Sequence, residues 1–305
     1  MNKIDPALLE AMKAIEPVIE KVTEDHEAKQ RLWMPAELIP EEHKFPELPP
    51  EITGMLVLNL LTENGLPYFL MMLVKHLGDQ GAIWNWSRLW TAEEDRHGNV
   101  IQLYLQQSLN HKQLTEIERM QFSYLRDGFS PDWSNDPFRL LSYVVIQEKA
   151  TQVSHKGIAR HAASVDPVLQ GIFGRISAEE KKHHEAYLAM FGALLEANPS
   201  HAVIAMHETI KDFAMPGASV KGFDQLTILQ QRLNAFGPAQ LAEIMKLVWD
   251  ELEIGSLANL SPEAEKARVD MSKRSRRLEK LAERLSSKEK KVYLPFLGSD
   301  VTVTV

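Results

Sequence analysis

The sequence predicts an all-α protein, a four-helix bundle with a metal-binding core and additional helices. Three observations carry this. The pattern Glu-x-x-His occurs twice, ending at His97 after Glu94 and at His183 after Glu180. A lone glutamate precedes each pair at nearly the same distance, Glu63 lying 31 residues before Glu94 and Glu148 lying 32 before Glu180. Apolar residues recur at helical spacing along most of the chain, and strand-type alternation is confined to its last residues. Offsets of this size fit two antiparallel arms of about fifteen residues, or ~22 Å of helix each, joined by a turn. Four carboxylates and two imidazoles in two matching halves are the ligand set with which a bundle holds two iron or manganese ions.

Composition narrows the alternatives. The chain has 305 residues, enough for a sizeable core, with 44% hydrophobic and 25% charged residues. It has no cysteine, which excludes disulfides, zinc–thiolate sites, iron–sulfur clusters and thiol nucleophiles. Any metal must sit on N and O ligands. The net charge of −8 argues against a nucleic-acid partner. No uninterrupted apolar run reaches the ~18 residues of a membrane span, and the N-terminus has no apolar signal core, so a cytoplasmic protein without membrane insertion is expected.

One domain, 1–305, is expected in three parts: an N-terminal extension over 1–50, a four-helix core over 51–200, and additional helices with a short tail over 201–305. Prolines at 6, 17, 35, 40, 46, 49 and 50 punctuate the first part. A helix over about 6–30 is followed by an irregular segment, 33–50, expected to lie across the surface of something larger. Residues 51–77 are apolar on nearly all sides, which marks a buried helix, interrupted at Pro67. Gly78 to Gly81 reads as a turn. Helices follow over about 82–108, 112–128, 137–163 and 167–197, with a loop at 130–137. Pro199, Pro216-Gly217 and Gly237-Pro238 separate shorter helices at 200–213, 222–235 and 238–254. A basic helix fills 262–287, and residues 292–305 suggest a small ribbon. Residues 262–291 hold eleven Lys/Arg against six Asp/Glu, a local balance of +5. Such a stretch is either a solvated helix face or a docking face for an acidic partner.

The two Glu-x-x-His pairs carry the chemistry because i and i+3 side chains share one helix face, with Cβ atoms roughly 5–6 Å apart. Of eleven histidines, only these two have a glutamate three residues before them. Both pairs have apolar neighbours, and so do Glu63, after Leu60-Leu61-Thr62, and Glu148, after Tyr143-Val-Val-Ile-Gln. A buried lone carboxylate is costly unless it is paired or bound to a metal. A ligand set rich in carboxylates suits iron or manganese better than zinc or copper.

Trp90-Thr-Ala-Glu-Glu-Asp-Arg-His-Gly98, Gln147-Glu-Lys-Ala-Thr-Gln-Val-Ser-His155 and Ala178-Glu-Glu-Lys-Lys-His-His-Glu-Ala-Tyr187 resemble the soluble acyl–acyl-carrier-protein desaturases, the plant stearoyl-type enzymes and their bacterial relatives. Thr62-Glu-Asn-Gly-Leu-Pro67, Trp33-Met-Pro-Ala-Glu-Leu-Ile-Pro40 and Met215-Pro216 add weaker matches, so the likeness runs from about Trp33 to the C-terminal segment. The resemblance implies a ferritin-like fold. It implies that Glu63, Glu94, His97, Glu148, Glu180 and His183 ligate two iron ions. It further implies that O2 and reduced ferredoxin are used to place a cis double bond, most simply of Δ9 type, in a saturated chain on acyl carrier protein.

The same resemblance assigns further roles. Thr151 matches the family's threonine on the O2 side of the irons; a bond to its own i−4 carbonyl is the structural alternative. Trp33 and Glu179 match an outer chain that touches a ligand histidine, although the family usually has aspartate at 179. The substrate tunnel would run past Met72, Lys75, Trp90, Leu140 and Leu141. Leu140 replaces a glycine and Lys75 a threonine of the stearoyl-type pattern, and added bulk at a closed end suggests a chain shorter than C18. The alternative for Lys75 is that it reaches out to solvent. Arg274, Arg276, Arg277, Lys280 and Arg284 would attract the acidic carrier protein or ferredoxin. The family is usually dimeric, and the Trp-rich helix over 82–108 is the expected contact. The competing readings are a di-iron oxygenase acting on a substrate free of carrier protein and a non-catalytic iron-binding bundle.

Overall fold

The computed structural model describes residues 6–128, 136–219, 222–285 and 289–304; most of the loop expected at 130–137 falls outside them. Helices α1 (Pro6–Ala14) and α2 (Glu16–Lys29) replace the single helix expected at the N-terminus. They divide at Pro17, which lacks the N–H that would continue the ladder and sits instead in the first turn of α2. An extended segment with one 3-10 turn, Pro35–Leu38, leads to α3 (Pro50–Glu63) and α4 (Leu66–Leu77). The break between α3 and α4 is the one Pro67 predicts. Gly78 and Gly81, both at positive φ, make the turn into α5 (Gly81–Ser108). Then come α6 (His111–Asp127), α7 (Pro137–Ala162) and α8 (Pro167–Ala197).

Helix starts follow a repeated local rule. Asp136-Pro137, Asp166-Pro167, Asn198-Pro199 and Ser261-Pro262 each place a side-chain acceptor at the N-cap and proline in the first turn. The cap oxygen satisfies a free backbone N–H, and proline costs nothing where no N–H is needed.

Helices α3, α5, α7 and α8 form the four-helix core, with α7 lying along α8, and α5 touching both α3 and α8. Met55, Leu56, Val57, Leu58, Leu60 and Leu61 are all buried, so α3 is the central apolar helix. The stretch Pro50–Leu77 has the length and hydropathy of a membrane span, yet just over half of its most apolar window, 56%, is buried inside this protein. It also carries Asn59 and Glu63 among its buried residues and breaks between α3 and α4, which marks it as the core helix of a bundle.

The first part of the chain does not merely lie across the surface. Helix α2 packs on α5 and α8, and the 3-10 turn reaches the same two helices. Helices α9 (Pro199–Asp212), α10 (Phe223–Arg232) and α11 (Pro238–Glu251) cover α7, α8 and α3. The basic segment forms two helices, α12 (Pro262–Met271) and α13 (Arg274–Leu285), where one was expected. Arg274 donates to Lys211 O and Arg277 bonds Asp270, whereas Arg276, Lys280 and Arg284 are exposed. Strands β1 (Glu289–Leu294) and β2 (Ser299–Thr304) make the small antiparallel ribbon, with Val292 opposite Val301.

Trp86 and Trp90 turn into the core, and Trp84 lies half-buried beneath Arg88. Most of the indole surface expected at a subunit contact is therefore used inside this chain, because both rings fill the space around Tyr187.

Candidate metal centre

The four core helices bring the six predicted residues to one level. Glu63 comes from α3, Glu94 and His97 from α5, Glu148 from α7, and Glu180 and His183 from α8. His97, Glu148, Glu180 and His183 are wholly buried, and Glu94 and Glu63 nearly so. They fall into two overlapping groups whose donor atoms lie within 4.8 Å of one another. One holds Glu63, Glu94, His97 and Glu180; the other holds Glu94, Glu148, Glu180 and His183. Glu94 and Glu180 are common to both, so two carboxylates stand between the groups and the remaining residues cap the ends.

Both imidazoles turn Nδ1 into the cluster. His183 Nδ1 lies 2.8 Å from Glu94 Oε1, and His97 Nδ1 lies 3.3 Å from Glu180 Oε1. Their Nε2 atoms point outward to a second ring of carboxylates. His97 Nε2 meets Glu179 Oε2 at 3.1 Å, and Trp33 Nε1 donates to Glu179 Oε1 at 2.7 Å. His183 Nε2 meets Glu93 Oε2 at 2.7 Å, and Glu93 also takes bonds from His26 at 2.8 Å and Gln30 at 2.6 Å. A carboxylate on Nε2 keeps a proton there and leaves Nδ1 as the nitrogen that can ligate a metal. The arrangement is crossed: each histidine is held by the glutamate that precedes the other pair.

Trp33 and Glu179 thus form the expected chain to a histidine, whereas Glu93, His26 and Gln30 were not foreseen. The signal for Glu93 is in the sequence, since both motifs read Glu-Glu-x-x-His. His26 comes from α2 and Gln30 from its C-cap, and no local pattern ties them to a site 67 and 63 residues away.

The remaining first-ring contacts are also specific. Trp90 Nε1 donates to Glu148 Oε1 at 3.1 Å. His155 Nε2 lies 3.1 Å from Glu63 Oε1, a partner not predicted. The Thr151 hydroxyl lies 3.0 Å from Glu180 Oε2 and also 3.2 Å from its own i−4 carbonyl, so the back-bond is present beside a contact to the cluster.

The electrostatics are those of a site that wants positive charge. Burial and the neighbouring Glu94 charge push Glu148 well above the usual carboxylate range, and burial pushes Glu63 up to about 7. Burial opposes the charge on Glu180 too, but the imidazoles of His155, His183 and His97 beside it hold it well below that range. His97 and His183 rise well above the usual imidazole range because the carboxylates outweigh their burial. Glu94 Oε1, Glu148 Oε2, Glu180 Oε1 and both Nδ1 atoms are buried and, close as some of them lie, make no well-aligned hydrogen bond among the described residues. Inward-facing polar atoms of this kind are costly unless a cation lies among them. The donor set, four carboxylates and two imidazoles without sulfur, fits a pair of iron or manganese ions.

A cavity of about 20 Å³ adjoins the cluster, lined by Glu63, Leu66, Phe69, Trp90, Glu94 and Thr151 among others. That is room for one water-sized molecule. Its wall on α4 is Leu66 and Phe69, not Met72 or Lys75. Lys75 is exposed and Met72 half-buried, so the expectation that Lys75 fills the end of a tunnel is corrected. An ammonium on a flexible stem stays in water rather than lose its hydration. Leu140 and Leu141 are buried on α7, eight and seven residues before Glu148.

Fold and cluster define a four-helix bundle whose core can hold metal ions between carboxylates and imidazoles. The sequence model of the fatty acid desaturase family matches residues 7–296, and the chain belongs to that family. It is 30% identical over 290 residues to stearoyl-[acyl-carrier-protein] 9-desaturase 6 of Arabidopsis thaliana, covering 85% of this chain and 74% of that protein. It is 32% identical over 274 residues to the stearoyl-[acyl-carrier-protein] 9-desaturase of Solanum commersonii, covering 84% and 70%. Among solved structures, the acyl-ACP desaturase candidate DesA2 of Mycobacterium tuberculosis superposes with a TM-score of 0.62 at 18% identity, over 85% of this chain and 99% of that one. That likeness supports the ferritin-like helical fold.

Proposed function

We propose that the chain is an acyl-ACP desaturase. On this reading it removes two hydrogens from a saturated acyl chain on acyl carrier protein and leaves a cis double bond, with O2 and a ferredoxin-type reductant. The observation that carries the reading is the pair of overlapping groups sharing Glu94 and Glu180. Glu63 and His97 would cap one iron ion, Glu148 and His183 the other, with Glu94 and Glu180 between them. An iron pair bound there supplies O2 activation, the oxidising power that an unactivated C–H bond requires and no side chain has.

The chain's own residues set the conditions. Glu93 and Glu179 orient the two imidazoles, and Trp90 fixes one oxygen of Glu148. The Thr151 hydroxyl, in the cavity wall and on Glu180, holds a proton beside the space where a small molecule fits. Leu66, Phe69 and Trp90 form the apolar part of its wall. Leu140 and Leu141 lie about 12 and 10 Å along α7 from Glu148, at ~1.5 Å per residue. Their bulk supports an acyl chain shorter than C18, such as C16 or C14. The exposed cations Arg276, Lys280 and Arg284 suit an acidic carrier protein or reductant. The reading includes a homodimer, as the family resemblance suggests.

The test is anaerobic iron loading, then a ferredoxin- and O2-dependent assay on C14, C16 and C18 acyl carrier proteins. Mass spectrometry localises the double bond. Turnover of the carrier-bound chains with a preference below C18 is expected. A clear C18 preference removes the chain-length reading, and turnover of free fatty acid alone removes the desaturase reading.

A further inference from the structure

The six clustered residues differ in how firmly their backbones hold them. Glu94, His97, Glu148, Glu180 and His183 all lie well inside long helices, whereas Glu63 is the last residue of α3. Asn64 and Gly65 already belong to the break before α4. The last turn of a helix has lost part of its ladder and opens more readily than the middle. Glu63 is also the most exposed of the six, at 8%. The geometry of its half of the cluster therefore depends on what grips its carboxylate.

The grip comes from α7. His155 Nε2 lies 3.1 Å from Glu63 Oε1 and 3.5 Å from Glu180 Oε1. The ring is wholly buried, with Phe173 packed on it at 5.5 Å between centroids. Its Nδ1 has no hydrogen-bond partner among the described residues, so Nε2 is the nitrogen that donates. His155 stands seven residues after Glu148, two turns along the same helix face. Thr151, between them on that face, bonds the other oxygen of Glu180. The opposite half is built differently: Glu148 is held mid-helix, and an indole rather than an imidazole donates to it.

We infer that His155 is a positioning residue for the metal ion on the Glu63–His97 side. It fixes one oxygen of Glu63, and so aims the other, where the helix end alone does not. The inference rests on the two-metal reading of the cluster. It makes the two metal positions unequal in their dependence on His155.

The test is anaerobic titration of the metal-free full chain with Co2+, read by visible absorption and by metal content. The wild-type chain is expected to take two ions tightly. His155→Leu should keep one ion at wild-type affinity and bind the second 10–100-fold more weakly, the usual effect of losing such a partner. His155→Gln, whose amide can still donate to Glu63, should recover the second ion. Two unchanged ions in His155→Leu, or equal loss of both in a chain with wild-type circular dichroism, overturns the inference. If His155→Leu does not fold, His155→Gln is compared with the shorter His155→Asn. Loss of one ion only in the asparagine chain supports the inference, and identical binding overturns it. A wild-type chain that takes fewer than two ions fails the two-metal reading instead.

Discussion

At the scale of single residues, the six clustered residues are the most legible part of the chain and their supports the least. Asp166 shows why a support can be invisible. In sequence it is one of several residues before a proline. In the structure it is buried, caps α8 at Val168 N, and takes bonds from His43 at 2.9 Å and from Tyr104. Burial opposes its charge, but the bonds from Tyr104, Val168 and His43 outweigh burial and hold its carboxyl below the usual range. A carboxyl depressed in the folded state contributes stability above its unfolded pKa of about 3.9, and loses it as pH falls through the folded value. Asp166→Asn should therefore cost about 1–3 kcal/mol at pH 7, the scale of a buried charged acceptor lost, and the cost should shrink below about pH 4. Urea unfolding midpoints at the two pH values measure this; an equal loss at both would show that the charge is not what matters. Four of the six clustered residues were readable because helix spacing aligns Glu with His, and Glu63 and Glu148 because their offsets to the two pairs match. Glu93 shared that advantage and was overlooked beside a stronger motif. His26, Gln30 and His155 meet their partners only through tertiary packing.

At the scale of elements, most helices were placed within a few residues, because capping residues and prolines act locally. The misses are splits: Pro17 divides the N-terminal helix, and the basic helix breaks at Ser272-Lys273, which carries no breaker signal. How elements meet is a different matter, as Gly157 illustrates. In sequence it is a weak spot in the middle of α7, where alanine is worth about 1 kcal/mol more. In the structure a Cβ there would stand 2.5 Å from Ala235 Cα and 2.6 Å from Ala235 Cβ. Arg160 and His161, one turn on, bond the carbonyls of Leu233 and Asn234, so the turn after α10 is fastened to α7 and cannot retreat. Overpacking against backbone costs about 1–3 kcal/mol and outweighs the propensity gain. Gly157→Ala is expected to lower stability by a net ~1 kcal/mol. A raised melting temperature would show that α10 can move away.

At the scale of the whole molecule, the four-helix core was foreseen, whereas within residues 1–50 only Trp33 was given a place at the site. Composition marks that segment as irregular, and nothing local says what it covers. The structure makes it a wall of the candidate metal centre: His26 and Gln30 hold Glu93, and Trp33 holds Glu179 while stacking beside His97 at 6.4 Å. Without it, the outer faces of both imidazoles would meet water, which competes for the Nε2 proton. A ligand that binds only the folded chain stabilises it by about 2.7 kcal/mol at a hundred times its Kd. Fe2+ added to the full-length protein under argon should therefore raise the melting temperature by several degrees, and a chelator should reverse the rise. The chain carrying His26→Gln and Trp33→Phe together should stay folded, since both replacements keep most of the side-chain volume. Its metal-dependent rise should shrink, as outer partners of ligands typically carry 10–100-fold in metal affinity. An undiminished rise would mean that Glu93 and Glu179 hold the histidines unaided, and that the N-terminal segment is cover rather than part of the centre.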